Sequence, residues 1–249
     1  MPPRLDRAST HHRPWPLPER PWALRMRWHD LAFLHWPVPA EALRSHVPDG
    51  LELDTFDGSA WLGVVPFRMS GVCPRFTPAL PGLSAFPELN LRTYVRAEGK
   101  PGVWFFSLDV PNPLAVWVAR AGFHLPYNRA RMRFRRAGAA IDYTSARREG
   151  GREVGFEGSY EPAGDVERSR PGSIDAWLTE RYCLYSADRR GRLCRGDIHH
   201  EPWPLRPARV ELRSNTLAAP LGVRLPDTEP LAHFAGELDV VAWLLERVG

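Results

Sequence analysis

A chain of 249 residues, 43% hydrophobic and 25% charged, has the composition of a globular protein and can bury a substantial core, as one large β-rich domain or two smaller ones. Its net charge is only +4 and acidic residues are spread among the basic ones, which gives little support to a polyanion partner. The three cysteines, Cys73, Cys183 and Cys194, lack close metal-type spacing and argue against both a disulfide framework and a zinc site.

Residues 1–24 contain no apolar signal core and read as a flexible lead-in to a single domain over 25–249. No run of about 18 apolar residues occurs, so no membrane association is expected and a cytoplasmic location is the default. Residues 25–36 read as a first strand, and Pro39 and Gly50 bracket a short helix. The segment 51–69 alternates on both sides of Asp57-Gly58, the best hairpin signal in the chain. A Pro/Gly loop over 71–85 precedes a second hairpin, 86–110, expected to turn at Gly99-Lys100-Pro101-Gly102. A helix starting near Pro113 follows, and strands at about 129–136 and 140–147 flank Gly138.

Residues 152–162 add another strand, and 171–182 resemble a helix with Ser173 as its N-cap and Trp177 and Leu178 on its apolar stripe. A third hairpin spans 183–196, with further strands at 206–213 and 237–247. The fold class is therefore mainly β, antiparallel, with two or three peripheral helices, closed into a barrel or a strongly bent sheet.

Strict alternation in "FPELNLRTYVR" places Glu88, Asn90, Arg92, Tyr94 and Arg96 on one strand face and Leu89, Leu91, Thr93 and Val95 on the other. That polar face is either an outer surface wetted by solvent or the lining of a barrel interior. In the second case it suits a small polar ligand, with the planar fork of Arg92 matched to a carboxylate. His199 and His200 are neighbours on an extended segment and point to opposite faces, so no metal site is expected there. Arg129, Arg131, Arg133 and Arg135 alternate with Ala130, Met132 and Phe134. This comb reads as an amphipathic strand rather than a nucleic-acid grip, since no stacking aromatics or known module accompany it. No Gly-rich phosphate loop, nucleophile elbow or zincin motif is present, so no cofactor is expected.

The segments "WHDLAFLHWPVPAEALRSHVPDGLELDTFDGSAWLGVVPFRMSG", "FPELNLRTYVR", "GKPGVWFFSLD", "ARAGFHLPY" and "IHHEPWPL" together resemble the DUF2071 (YqjF-like) family of bacterial proteins. The resemblance covers nearly the whole chain from Trp28. It implies an acetoacetate decarboxylase-like fold: a bent antiparallel sheet closing into a cone-like β-barrel with a polar interior.

In that enzyme a lysine forms a Schiff base, in a motif like G-R-E-x-x-G-x-P-K. Here "ARAGFHLPY" is similar to it, with Arg120 at the arginine, Pro126 at the proline and Tyr127 where the lysine belongs. Glu88 resembles the enzyme's Y-x-E glutamate. Tyr127 cannot form an imine, and Lys100, the chain's single lysine, falls at an expected hairpin tip. The resemblance therefore implies a pocket for a small organic acid or carbonyl compound without Schiff-base chemistry. Glu88, Tyr127 and His124 are its candidate catalytic groups, and Asn90, Arg92 and Arg120 its candidate substrate-binding groups. Two alternatives stay open: a ligand-binding protein without turnover, and an interaction module that assembles a homo-oligomer through an apolar, Trp-rich surface.

Overall fold

A computed structural model describes residues 10–80 and 82–249. Among the described residues fourteen strands make one sheet: β1 (Leu24–Val38), β2 (Glu52–Leu53), β3 (Ala60–Pro74), β4 (Phe86–Ala97), β5 (Lys100–Val110), β6 (Tyr127–Arg129), β7 (Arg131–Ala137), β8 (Ala140–Glu149), β9 (Arg152–Pro162), β10 (Cys183–Ala187), β11 (Leu193–His199), β12 (Leu205–Asn215), β13 (Leu231–Ala242) and β14 (Glu246–Arg247). Three α-helices accompany them, α1 (Ala40–Arg44), α2 (Pro113–Phe123) and α3 (Ile174–Thr179).

Seven of the strands pair in a ring, β1-β3-β4-β5-β10-β11-β13, which closes because β13 pairs with both β1 and β11. From β13 the sheet continues as an arm, β12-β9-β8-β7, that folds back over the ring. The arm's Tyr143, Phe156 and Tyr160 pack with Ala32, Leu34, Leu62, Val64, Leu89 and Leu91 in one buried cluster. Since Leu89 and Leu91 face the arm, the alternate residues of β4 face the inside of the ring. The Glu88 face, ambiguous from pattern alone, is therefore the inner one. Register agrees, since Glu88 pairs with Phe67, Asn90 with Val65 and Arg92 with Gly63.

The arm is tied down by polar contacts where the β1–β3 register breaks between His29 and Leu34. Tyr160 donates to the Asp30 carbonyl (2.8 Å), and Tyr143 donates to the carbonyls of Glu88 (2.7 Å) and Phe67 (3.1 Å). Asp30, with φ +57, holds arginines of both layers, Arg68 from β3 and Arg136 from β7. Carbonyls freed by a bulge need such partners when buried.

Several expectations are corrected. The second hairpin turns at Glu98-Gly99, both with φ > 0 (51° and 73°) as a type I′ turn demands, so Lys100 is the first residue of β5, paired with Ala97, and not part of the tip. Asp57-Gly58 does turn tightly, with reciprocal Phe56–Ser59 hydrogen bonds, but β2 pairs with β4 rather than β3. The segment 237–247 is the end of β13 followed by the separate β14. β3 runs on to Pro74 and shortens the expected loop. Residues 1–9 of the expected lead-in lie outside the described residues. The rest of it is pinned: Arg13 donates to the Ile198 carbonyl (2.6 Å), and the Trp15 indole to Asp197 (2.8 Å).

Candidate functional site

Glu88 enters the ring from β4 and Tyr127 from β6, with β5 between them: Tyr127 pairs with Leu108, and Leu108 with Asn90. The Tyr127 hydroxyl spans β5 and donates to Glu88 Oε2 at 2.9 Å. Glu88 is 3% exposed. Burial is the main cause that pushes its carboxyl up to about 8; the Tyr127 hydrogen bond opposes this, and nearby Asp109 adds to it. Burial and the Glu88 charge hold the Tyr127 phenol well above its ordinary value. The pair is thus a carboxyl poised near neutrality beside a phenol that stays protonated, an arrangement able to give or take one proton.

Asp109 itself lies on the arm-facing side of β5, opposite Leu89. Arg147 of β8 grips both of its oxygens (2.8 and 2.9 Å), and Ser145 donates to it at 3.0 Å. Even so, burial outweighs Arg147 and leaves the Asp109 carboxyl above its usual range. Sequence reasoning missed this pair. Its signal was legible in β8, where Ile141, Tyr143, Ser145 and Arg147 share the buried face and only the last carries charge.

The other expected residues are placed unevenly. Asn90 is buried on the same inner face, and its Oδ1 has no hydrogen-bond partner. Arg92 lies two residues further along and stacks over Phe33 at 5.4 Å. Arg120 is exposed and braces the corner, donating to the Tyr127 carbonyl (2.7 Å) and to Asn128 (3.2 Å). Its contacts position Tyr127 from behind. His124 is the C-cap of α2 in the left-handed region, φ +51, a conformation that reverses the chain into the Leu125-Pro126-Tyr127 corner.

The remaining motifs have structural partners. His200 stacks on Tyr182 at 4.8 Å, and burial holds both His199 and His200 well below the usual histidine range, at about 4 and about 3. Among the described residues no group of three His, Cys, Asp or Glu side chains could hold a metal ion, and no helix is long and apolar enough to cross a membrane. The arginine comb is split: Arg129 ends β6, beside β5, and Arg131, Arg133 and Arg135 lie on β7, the strand at one end of the sheet. Its arginines are exposed, and Met132 and Phe134 are partly covered by the core. Lys100 holds its ammonium over the Trp15 ring at 5.8 Å. Two surface clefts, of about 330 Å³ beside Arg96 and Glu98 and about 410 Å³ beside Tyr160 and Glu211, are lined by residues other than the Glu88–Tyr127 pair.

The fold has solved counterparts of low sequence identity. An enduracididine biosynthesis enzyme, MppR, solved with the condensation product of pyruvate and imidazole 4-carboxaldehyde, matches with TM-score 0.64 and 16% identity, over 92% of this chain and 90% of that one. The acetoacetate decarboxylase of Legionella pneumophila matches with TM-score 0.60 and 14% identity, over 100% and 96%. An acetoacetate decarboxylase-like enzyme from Sphingomonas wittichii RW1 matches with TM-score 0.61 and 14% identity, over 92% and 95%. These likenesses show an acetoacetate decarboxylase-like fold. A relative at much higher identity is "Uncharacterized protein YqjF" of Bacillus subtilis (strain 168), 46% identical over 231 residues, 93% of this chain and 95% of that protein. The model of the DUF2071 family, described as an uncharacterized conserved protein, matches residues 25–239. The chain therefore belongs to the DUF2071 family.

Proposed function

We propose that the ring interior binds a small compound bearing a carboxylate or a carbonyl group, and that Glu88 and Tyr127 move a proton on it without an imine. The observation that carries this reading is the buried Glu88 carboxyl, poised at about 8 and held by the Tyr127 hydroxyl at 2.9 Å. Such a group has no structural task that a glutamine would not perform with less desolvation cost. Asn90 Oδ1 and Arg92 Nε, both shielded and unpartnered, add polar capacity on the same face. One structural counterpart, MppR, has been solved with pyruvate bound, which supports a ligand of this size. Above about pH 8 the Glu88 carboxylate takes a proton from carbon next to a carbonyl; below it the protonated carboxyl donates to the carbonyl oxygen.

The test follows deuterium entering the methyl group of pyruvate in D2O. The wild type is expected to accelerate exchange, with a rate that rises as pH passes about 8, and Glu88→Gln is expected to lose on the order of 100-fold. Tyr127→Phe removes the bond that holds the Glu88 value down, so its pH midpoint should move upward. Borohydride with pyruvate should label no residue, Lys100 included. Binding without exchange in the wild type would leave a ligand-binding protein and end the proton-transfer assignment.

One observation favours a second reading, assembly into a homo-oligomer. Trp117 is 67% exposed and Leu114 48% exposed on α2, three residues apart and so neighbours on one face of the helix. Sedimentation at rising concentration should show association that Trp117→Ser weakens; a concentration-independent monomer would rule it out.

A further inference from the structure

Beyond Asn90, the inner face of β4 runs into a chamber with more hydrogen-bond donors than acceptors. Arg92 is half-buried there and ion-pairs with no carboxylate among the described residues. Its Nη2 donates to the Tyr94 hydroxyl and the Leu178 carbonyl, each at 3.3 Å, longer than the roughly 2.8 Å of a charge-assisted bond. Its Nε is shielded and has no partner.

Three neighbours share this condition. Arg181, 5% exposed, satisfies Asp54 at 2.6 Å through Nη1 but leaves Nη2 unpartnered. His35, 0% exposed, meets the Tyr94 hydroxyl at 2.6 Å through Nε2. When that hydroxyl gives its own proton to His35 Nε2, the imidazole proton lies on Nδ1, again without a partner. Trp61 Nε1 is the fourth unpartnered donor.

Gly63 lets both side chains pack against β3, since a Cβ there would meet His35 at 3.1 Å and the Arg92 side chain at 3.3 Å. Buried donors left in such numbers cost stability unless an acceptor serves them in some state of the molecule.

What stands over these donors is the last turn of α3. The carbonyl of Trp177 accepts from Arg181 Nε (2.6 Å), that of Leu178 from Arg92, and that of Thr179 from the Trp203 indole (2.9 Å). The final carbonyls of a helix have no partner within it, so they serve as neutral acceptors for cations. The stretch leading into α3 is mostly exposed over 164–172 and ends at Gly172, φ +82.

We propose that this chamber, bounded by Arg92, Arg181, His35 and Tyr94, takes the carboxylate of the ligand, and that the Leu178 carbonyl occupies the carboxylate's place until the ligand displaces it. The inference rests on the reading of the ring interior as a ligand site, and adds that α3 is a competing lid. A carboxylate offers Arg92 a charged, bidentate partner in place of one long bond to a neutral carbonyl.

The experiment uses the full chain with pyruvate and its neutral isostere pyruvamide, read by titration calorimetry and by hydrogen exchange of the amides of residues 174–180. Pyruvate should bind at least tenfold more tightly than pyruvamide and should speed exchange in α3. Arg92→Gln, checked for an unchanged fold by circular dichroism, should lose at least tenfold in pyruvate affinity. Ser173→Ala removes the side chain that caps the Ala176 N–H (3.3 Å). By weakening the lid it should raise pyruvate affinity about threefold, the size expected of a modest N-cap loss; a purely structural α3 would give no gain.

Glu88→Gln should leave pyruvate affinity within about threefold. Equal binding of pyruvate and pyruvamide, or full affinity in Arg92→Gln, overturns the chamber. Binding that depends on Glu88 and not on Arg92 overturns the chamber and leaves the proton-transfer site. Binding that depends on Arg92 without deuterium exchange does the reverse.

Discussion

Glu88→Gln is expected to make the protein more stable at pH 8 than the wild type, and to remove the part of the pH dependence of stability that Glu88 contributes. Burial raises the Glu88 carboxyl from 4.5 to about 8 in the folded state. Between those values the native chain keeps a proton that the unfolded chain has released. The Glu88 contribution to stability therefore falls as pH rises from about 4.5 to about 8, then levels off. Each tenfold change in proton affinity is worth about 1.4 kcal/mol, so the effect is at most about 5 kcal/mol. Glutamine keeps an oxygen for the Tyr127 hydroxyl and cannot ionise, so this contribution should vanish in the variant and appear as the difference between the two profiles. Urea denaturation at pH 5, 6.5 and 8 reads this directly. Parallel stability profiles for the two proteins would mean that Glu88 ionises freely and that the candidate proton-transfer pair is not one. The same substitution should slow deuterium exchange on the order of 100-fold, so a residue whose removal stabilises the fold would also be needed for the reaction, the usual conflict between stability and function.

Arg147→Met is expected to cost about 3–5 kcal/mol, the range for removing one partner of a buried ion pair. Asp109 has a fully buried side chain and that of Arg147 is 5% exposed, so neither charge can turn to solvent. Without the guanidinium the Asp109 carboxyl rises further above its usual range and takes up a proton more readily. The penalty should then shrink as pH falls and be largest above neutrality. Asp109→Asn in the same chain removes the stranded charge, keeps an oxygen for Ser145, and should restore much of the loss. A shift in urea midpoint at unchanged slope would report stability alone. Equal stability of Arg147→Met and wild type would show that the ring and the arm are held by apolar contact without this pair. Since Asp109 also bears on the Glu88 carboxyl, the pH midpoint of proton exchange should move in Arg147→Met.

Much of the architecture was legible because strands carry their own signals. The β4–β5 hairpin, the α2 helix with Asn112 capping Leu114 at 2.8 Å, and the α3 helix with Ser173 as its N-cap follow from local alternation, proline placement and capping chemistry. The turn at Glu98-Gly99 was misplaced by two residues because Pro101 and Gly102 look like turn residues. Gly102 is instead small to make room, since a Cβ there would meet Cys183 at 2.7 Å and the Tyr185 ring at 2.8 Å. That constraint comes from β10, some eighty residues away along the chain.

Period-two alternation by itself determined that Glu88, Asn90, Arg92 and Tyr94 share one face, because neighbours on an extended strand must point to opposite sides. It could not say which face was inside: an alternating strand reads the same in both directions until something covers one side. Only the closure of the ring through β13 and β11, and the folding of the arm onto Leu89 and Leu91, made the polar face the inner one. Tertiary structure likewise brought Tyr127 across β5 to Glu88, set α3 over Arg92, and turned Arg120 away to brace the corner. These contacts join residues far apart in the chain, and long-range pairing leaves no local trace in the order of the residues.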